Sequence, residues 1–259
     1  DQNRVSIRFE GSVGGGIPVI GSLTNSLAAN QVEEIVGIIN GNTNYILTRM
    51  GESGMGFKDA LSEAQAKGFA EADPSSDIEG EDAAYKLSIL THVAFGVQVN
   101  PRDIPCVGIS QISEKEIEFV KQLGYKIKLL AAVKKHNGSL DLHVHPTLVP
   151  LEHPLAAVSY EFNALYIKGN AVGELMLYGK GAGSLPTGSA VFGDVMETIR
   201  IIRNGTHEEN SYAHRYQFSP KLIGPGASAY YIRLQVLDQP GVLGRISTCF
   251  GKNGISLES

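Results

Sequence analysis

Residues 68–86 read Gly-Phe-Ala-Glu-Ala-Asp-Pro-Ser-Ser-Asp-Ile-Glu-Gly-Glu-Asp-Ala-Ala-Tyr-Lys, placing six carboxylates and a lysine in one short interval. Asp82 and Lys86 are four residues apart, so on a helix they share a face. Such a set can do one kind of chemistry: the carboxylates grip an ammonium group while Lys86 exchanges a proton with an oxygen of the same molecule. A free lysine titrates near ~10.4, so that role asks for burial or charged neighbours. The same residues also fit a solvated acidic helix N-terminus favoured by the helix dipole. There the ion pair would be worth at most about 1 kcal/mol. Spacing alone leaves both open.

Two glycine-rich stretches could approach a ligand closely. In Glu10-Gly-Ser-Val-Gly-Gly-Gly-Ile-Pro18 the glycines miss the i, i+2, i+5 dinucleotide spacing. The P-loop alternative needs Lys-Ser/Thr after Gly16, and the chain has Ile17-Pro18. A backbone free to turn its carbonyls inward beside Glu10 could hold a hard cation, or be a tight turn. Spacing favours the turn. The second stretch, Gly179-Lys-Gly-Ala-Gly183, leads through Pro186-Thr187 into a helical pattern.

Other candidates carry less. His143 and His145 share one face of an alternating strand, expected to be the solvated one, with no third metal ligand nearby in sequence. His92 reads as a polar residue on a helix. Cys106, in Ile-Pro-Cys-Val, lacks the neighbouring base a thiolate nucleophile needs.

The elements that must position these groups follow from periodicity. Glu33–Ile39 reads as a strand, then Asn40–Asn44 as a turn or N-cap, with a helix over Tyr45–Met50. Phe57, Leu61 and Ala64 share a helical face, closed at Gly68. Ser76 and Glu79 have capping-box spacing ahead of a helix carrying Ala83, Leu87, Leu90 and Ala94; Ser113 and Glu116 repeat it, and Gly124 ends that helix. Lys126–Val133 and Ser139–Val149 form a hairpin through Asn137-Gly138, and Asn163–Ile167 and Val172–Tyr178 a second through Gly169-Asn170. A first strand, Val5–Phe9, precedes the opening glycine loop. Asn204–Ala227 reads as a linker. A strand over Tyr230–Leu237, a turn at Asp238–Gly241 and a helix over Val242–Lys252 then lead toward a further strand.

The fold class expected is α+β: a mixed β-sheet covered by helices, then a partial βαβ unit. With 42% hydrophobic and 19% charged residues the chain is of ordinary globular composition. A net charge of −5 gives no footprint for nucleic acid or an anionic membrane. Two cysteines make no disulfide framework, and no apolar run suits a membrane span, so the expected location is cytoplasmic. The chain starts without Met and stops in a strand-like stretch, and is expected to be a fragment.

The segment GFAEADPSSDIEGEDAAYK resembles the signature of homoserine dehydrogenase. EGSVGGGIPVI, GIINGNTNYILTRM and GKGAGSLPTGSAVFGDV resemble the same family in the same order, spanning nearly all of 1–205. IRLQVLDQPGVLGRISTCFGKNGISLES resembles the first half of an ACT domain. The resemblance implies a substrate-binding and dimerisation domain over 1–205, a linker over 206–227 and a truncated ACT domain over 228–259. It implies NAD(P)-dependent interconversion of L-homoserine and L-aspartate 4-semialdehyde, in threonine, methionine and isoleucine biosynthesis, by direct hydride transfer. Lys86 is implied as acid/base, Glu71 and Asp82 as substrate-binding, with Asp77 close enough to help bind substrate, and Gly68 and Gly183 as cofactor-binding. Glu10, Val13, Gly15 and Ile17 match a monovalent cation site (Na⁺ or K⁺), with Glu10 the side-chain ligand and the others offering carbonyls. That reverses the preference for a turn. A homo-oligomer, dimer or tetramer, is implied, with a possible amino-acid effector at the ACT unit.

Two departures bear on this. The family's N-terminal G-x-G-x-x-G half and second catalytic lysine are not in this sequence, so weak or no dinucleotide binding is expected of the piece. Asn42 stands where the family's run has Thr, a change expected to keep capping capacity. The alternative function is a regulatory or oligomerisation module that binds an amino-acid effector and is inactive by itself.

Overall fold

The computed structural model describes residues 7–136, 138–205, 221–223 (backbone only) and 229–257. The chain divides into two compact units, Asp1–Gly226 and Ala227–Ser259. The first holds a six-stranded sheet of order β5-β4-β1-β2-β3-β6. Its strands are β1 (Val32–Ile38), β2 (Tyr125–His136), β3 (Ser139–Pro150), β4 (Phe162–Gly169), β5 (Gly173–Lys180) and β6 (Lys221–Ile223). All pairings are antiparallel except β3 with β6, so the sheet is mixed as expected.

Central β1 fixes the register on both sides, with Ile35 opposite Val133 of β2 and Ile167 of β4. Because side chains alternate along β2, Leu129, Ala131 and Val133 enter a large core while Leu130 enters a smaller one. The large core is completed by helices α1 (Val19–Gly21), α2 (Gly41–Ser53), α3 (Phe57–Ala66), α4 (Ser75–Ile78) and α5 (Glu81–Phe95). Leu87 and Leu90 of α5 are fully buried there, as their spacing predicts. The smaller core packs Ile38, Leu130 and Ala164 against Leu155, Ala156 and Val158.

Local signals hold where the chain supplies both partners. Ser113 caps α6 (Glu114–Gln122) in a full capping box with Glu116, and Gly124 follows at φ 84°. The β2–β3 hairpin turns at Gly138 (φ 82°), and the β4–β5 hairpin closes with Gly169 opposite Gly173. Gly68 (φ 74°) follows the C-terminus of α3.

Elsewhere the structure departs from the sequence reading. Ser76 caps nothing: it lies inside α4, and Gly80 at φ 85° breaks the path so that α5 starts afresh at Glu81. A Cβ at Gly80 would sit 2.8 Å from the Cys106 sulfur, so this break is also a close-packing point. Ile7–Phe9 is irregular; the Phe9 carbonyl instead closes a 3-10 turn over Glu10–Ser12, and Val5 and Ser6 lie outside the described residues. Gly179 and Lys180, read as loop, end β5. α7 (Ser184–Asn204) follows the glycine loop, and most of the stretch read as a linker lies outside the described residues, with β6 inside it. Among the described residues of the second unit, the βαβ reading is met only by its helix, α8 (Val242–Lys252). Tyr230–Leu237 is not a strand; among the described residues no ladder pairs with it, and a strand needs such a partner.

Candidate functional site

The site is built where β1 runs into α2. The sequence there is Ile39-Asn40-Gly41-Asn42-Thr43-Asn44, and Asn40 is the N-cap of α2. Its side-chain oxygen accepts from the Thr43 N–H at 2.9 Å, the bond that makes asparagine a strong cap. Gly41 is required next: a Cβ there would lie 2.7 Å from the Glu161 carbonyl oxygen. Its absence lets the first turn of α2 seat against the strand entering the sheet.

The acidic interval meets this turn at the Gly80 break. Asp77 lies in the single turn of α4 and Asp82 in the first turn of α5, and both reach the same asparagine. Asn40 Nδ2 donates to Asp77 Oδ1 at 2.7 Å and to Asp82 Oδ2 at 2.9 Å. Asn42 Nδ2 donates to the other Asp77 oxygen at 2.5 Å. Lys86 Nζ lies 2.6 Å from Asp82 Oδ2 and 3.2 Å from the Ile39 carbonyl. Two of the three ammonium N–H groups are thereby used, which leaves one for an incoming oxygen. The Lys86 and Asp82 side chains are 23% and 29% exposed, so the pair opens to solvent at one side.

The six carboxylates therefore split. Asp77 and Asp82 turn inward, half-buried, while Glu71, Asp73, Glu79 and Glu81 are exposed. Asp73 is held below the usual carboxylate range by the Ser75 hydroxyl and N–H, a local turn. Of the residues expected to bind substrate, the structure joins Asp77 and Asp82 in one network with the expected acid/base Lys86 and leaves Glu71 on the exposed segment after Gly68. Sequence reading missed Asn40 and Asn42 as members. They were read as a turn or cap, and Asn42 was expected to supply capping; Asn40 is the cap, and Asn42 serves Asp77.

The two glycine loops meet each other. Gly15 (φ 54°) packs so tightly that a Cβ would come within 2.4 Å of the Gly181 carbonyl oxygen. Gly181 in turn lies against Asn163, a fully buried residue of β4. Gly183 (φ 113°) is the N-cap of the 21-residue α7 and offers no side chain to its amides. Gly68 has open space where a Cβ would be.

Glu10 is tied to the neighbouring backbone. Its two carboxylate oxygens accept from the N–H groups of Ile20 and Gly21, at 2.8 and 2.7 Å, at the α1 turn. Its own N–H donates to Asp194 of α7 at 2.9 Å. Burial, and more weakly the nearby Asp194 charge, push the Glu10 carboxyl up from its ordinary value, while the Gly21 and Ile20 amides pull it back.

Remaining candidates stay outside this network. His143 and His145 stack with ring centroids 4.3 Å apart, half-buried rather than on a solvated face. His143 Nδ1 is 3.3 Å from Asp141, and no group of three metal-type ligands occurs among the described residues. Burial, then Glu81 and Glu79, push the Cys106 thiol up to about 11, which keeps it a thiol at neutral pH. No described helix is long and apolar enough to cross a membrane.

A family model described as homoserine dehydrogenase matches residues 18–196, which takes in the whole Asn40–Lys86 network and the Gly179–Gly183 loop. The homoserine dehydrogenase of Bacillus subtilis is 40% identical over 257 residues, covering 99% of this chain and 59% of the relative. That of Neisseria gonorrhoeae is 41% identical over 270 residues, covering 100% and 61%. A solved homoserine dehydrogenase from Thiobacillus denitrificans superimposes with a TM-score of 0.85 at 37% identity, over 97% of this chain and 59% of the other. A hyperthermophilic archaeal homoserine dehydrogenase mutant in complex with NADPH gives 0.66 at 33% identity, over 77% and 57%. The chain thus spans about three fifths of the length of these curated relatives. On these matches, the chain belongs to the homoserine dehydrogenase family.

Proposed function

We propose that this chain is the substrate-binding part of a homoserine dehydrogenase that interconverts L-homoserine and L-aspartate 4-semialdehyde. The observation that carries the reading is the Lys86–Asp82–Asn40–Asp77 network at the start of α2, inside the matched region. Asp77 and Asp82 supply two half-buried carboxylates for the substrate ammonium, with Glu71 as a third from the exposed segment. Lys86 serves the terminal oxygen. As an ammonium it donates a proton to the aldehyde oxygen while hydride arrives at carbon; as an amine it takes the hydroxyl proton in the reverse direction. No covalent intermediate is needed, in keeping with a thiol at Cys106.

Bound NAD(P) would supply the hydride exchange. Gly183, ahead of the bare amides of α7, and Gly68, with open space at its α-carbon, are the residues that would lie against it. The carbonyls of Val13, Gly15 and Ile17 are proposed for a monovalent cation. Gly14 and Gly15 at positive φ support that loop, and Glu10, whose two oxygens each accept one amide N–H and keep a lone pair, is proposed as its side-chain ligand. The reading extends to a homo-oligomer, and to residues 228–259 as an ACT-type unit open to an amino-acid effector.

The test is Lys86→Ala in the parent enzyme containing this chain. kcat is expected to fall by about 10²–10⁴-fold, with Tm within about 2 °C of the parent. Turnover at the parental rate would overturn the reading.

A further inference from the structure

Asn42 stands where the resembled family's run has Thr, and its bond changes what Asp77 can do. Asp77 has one oxygen on Asn40 Nδ2 and the other on Asn42 Nδ2, so its carboxylate plane is held from both sides by side chains of one helix turn. Asn40 is 5% exposed and has its own oxygen committed to Thr43, so it cannot rotate away. Asn42, one turn-position on, closes the second oxygen. Each oxygen keeps a lone pair, so the clamped carboxylate can still accept an ammonium.

A threonine at 42 would not reproduce this. Its hydroxyl sits one bond closer to the backbone than the Asn amide nitrogen and falls short of Asp77 from the same Cα. We propose that Asn42 is a positioning residue for the substrate ammonium, acting through Asp77, and that it sets substrate affinity in this chain beyond what Asn40 alone provides. This rests on the homoserine reading above. The physical term is a hydrogen bond to a charged group, whose loss leaves the carboxylate to swing and be rehydrated.

The test compares Asn42→Thr, Asp77→Ala and the double variant in the parent enzyme. KM for L-homoserine is expected to rise about 5–10-fold in Asn42→Thr with kcat lowered less than twofold, the mark of lost ground-state binding. In the Asp77→Ala background the same substitution is expected to change KM less than twofold, because its partner is gone. A merely structural role would raise KM equally in both backgrounds, and that result, or an unchanged KM in Asn42→Thr, overturns the proposal. L-Homoserine-induced rise in Tm is measured alongside. An inactive parent enzyme would sink the dehydrogenase reading, and the Tm shift then decides Asn42 separately: lost or reduced in Asn42→Thr supports the clamp, and equal to the parent refutes it.

Discussion

Lys86 and Lys128 both send their ammonium groups to the start of α2, and their surroundings are opposites. Lys86 is partly exposed, lies 2.6 Å from a carboxylate, and touches one carbonyl. Lys128 of β2 is 2% exposed and touches only neutral oxygens, Asn44 Oδ1 at 2.9 Å and the Val158 carbonyl at 2.5 Å. Burial pushes Lys128 down to about 8, with Lys126 adding to the effect. By perturbed titration alone, Lys128 would be the functional suspect. Geometry assigns it a scaffolding task instead. Asn44 also donates to the carbonyls of Val158, Tyr160 and Phe162, so Lys128 and Asn44 together pin that loop beneath α2. A proton-exchanging lysine needs an opening to solvent, which the partly exposed Lys86 has and the buried Lys128 lacks.

That contrast can be broken in several ways. The largest effect is expected from the Lys86→Ala loss of kcat described above, with stability unchanged. Lys128→Ala should do the reverse. Deleting the buried stem, leaving Asn44 Oδ1 without its donor and taking one of two donors from the Val158 carbonyl, should cost about 2–5 kcal/mol in chemical denaturation. kcat of the folded fraction should stay within about threefold, since Lys128 touches no member of the Lys86 network.

Lys128 also gives a pH signature. Its folded value, about 8, lies below the ordinary lysine value of 10.5, so the unfolded chain binds more protons between the two. Its burial therefore lowers stability below pH 8, and the penalty is relieved as pH rises toward 10.5. Lys128→Met, which keeps the stem without the charge, should flatten that part of the stability profile. An unaltered slope would show that Lys128 does not titrate there.

A smaller effect with the opposite sign comes from Glu63. Lys67, then the Tyr45 hydroxyl, then Arg49 hold its carboxyl down at about 2, tying α2 to α3. Its contribution is present above the ordinary carboxylate value of 4.5 and is lost as pH falls toward 2. Glu63→Gln should make the acid limb of unfolding shallower while leaving stability above pH 6 slightly reduced. An identical acid limb would refute the network's role.

What was legible in the sequence follows the range of the interactions. Ser113 and Glu116 lie within one helical turn, and their capping box forms as written. Ser76 and Glu79 have the same spacing, yet Ser76 lies inside α4, Gly80 takes the left-handed conformation against the Cys106 sulfur, and no box forms. The strands with complete partners formed; Tyr230–Leu237 has an alternating pattern but no ladder among the described residues. The site was half legible. Asp82 and Lys86 announce themselves by i, i+4 spacing, while Asn40 joins Asp77 and Asp82 across 37 and 42 residues. Only the fold brings those together. The one available signal was the density of asparagines in Asn-Gly-Asn-Thr-Asn, more than a single cap requires.

The central claim is that the Lys86 amine itself carries the proton. Restoring a small primary amine, such as ethylamine, to the Lys86→Ala enzyme tests it most directly, with kcat for L-homoserine oxidation followed against amine concentration. The account predicts a negligible rate without amine and a saturable recovery with it, absent from the parent enzyme. Parental kcat in Lys86→Ala before any amine is added would contradict it.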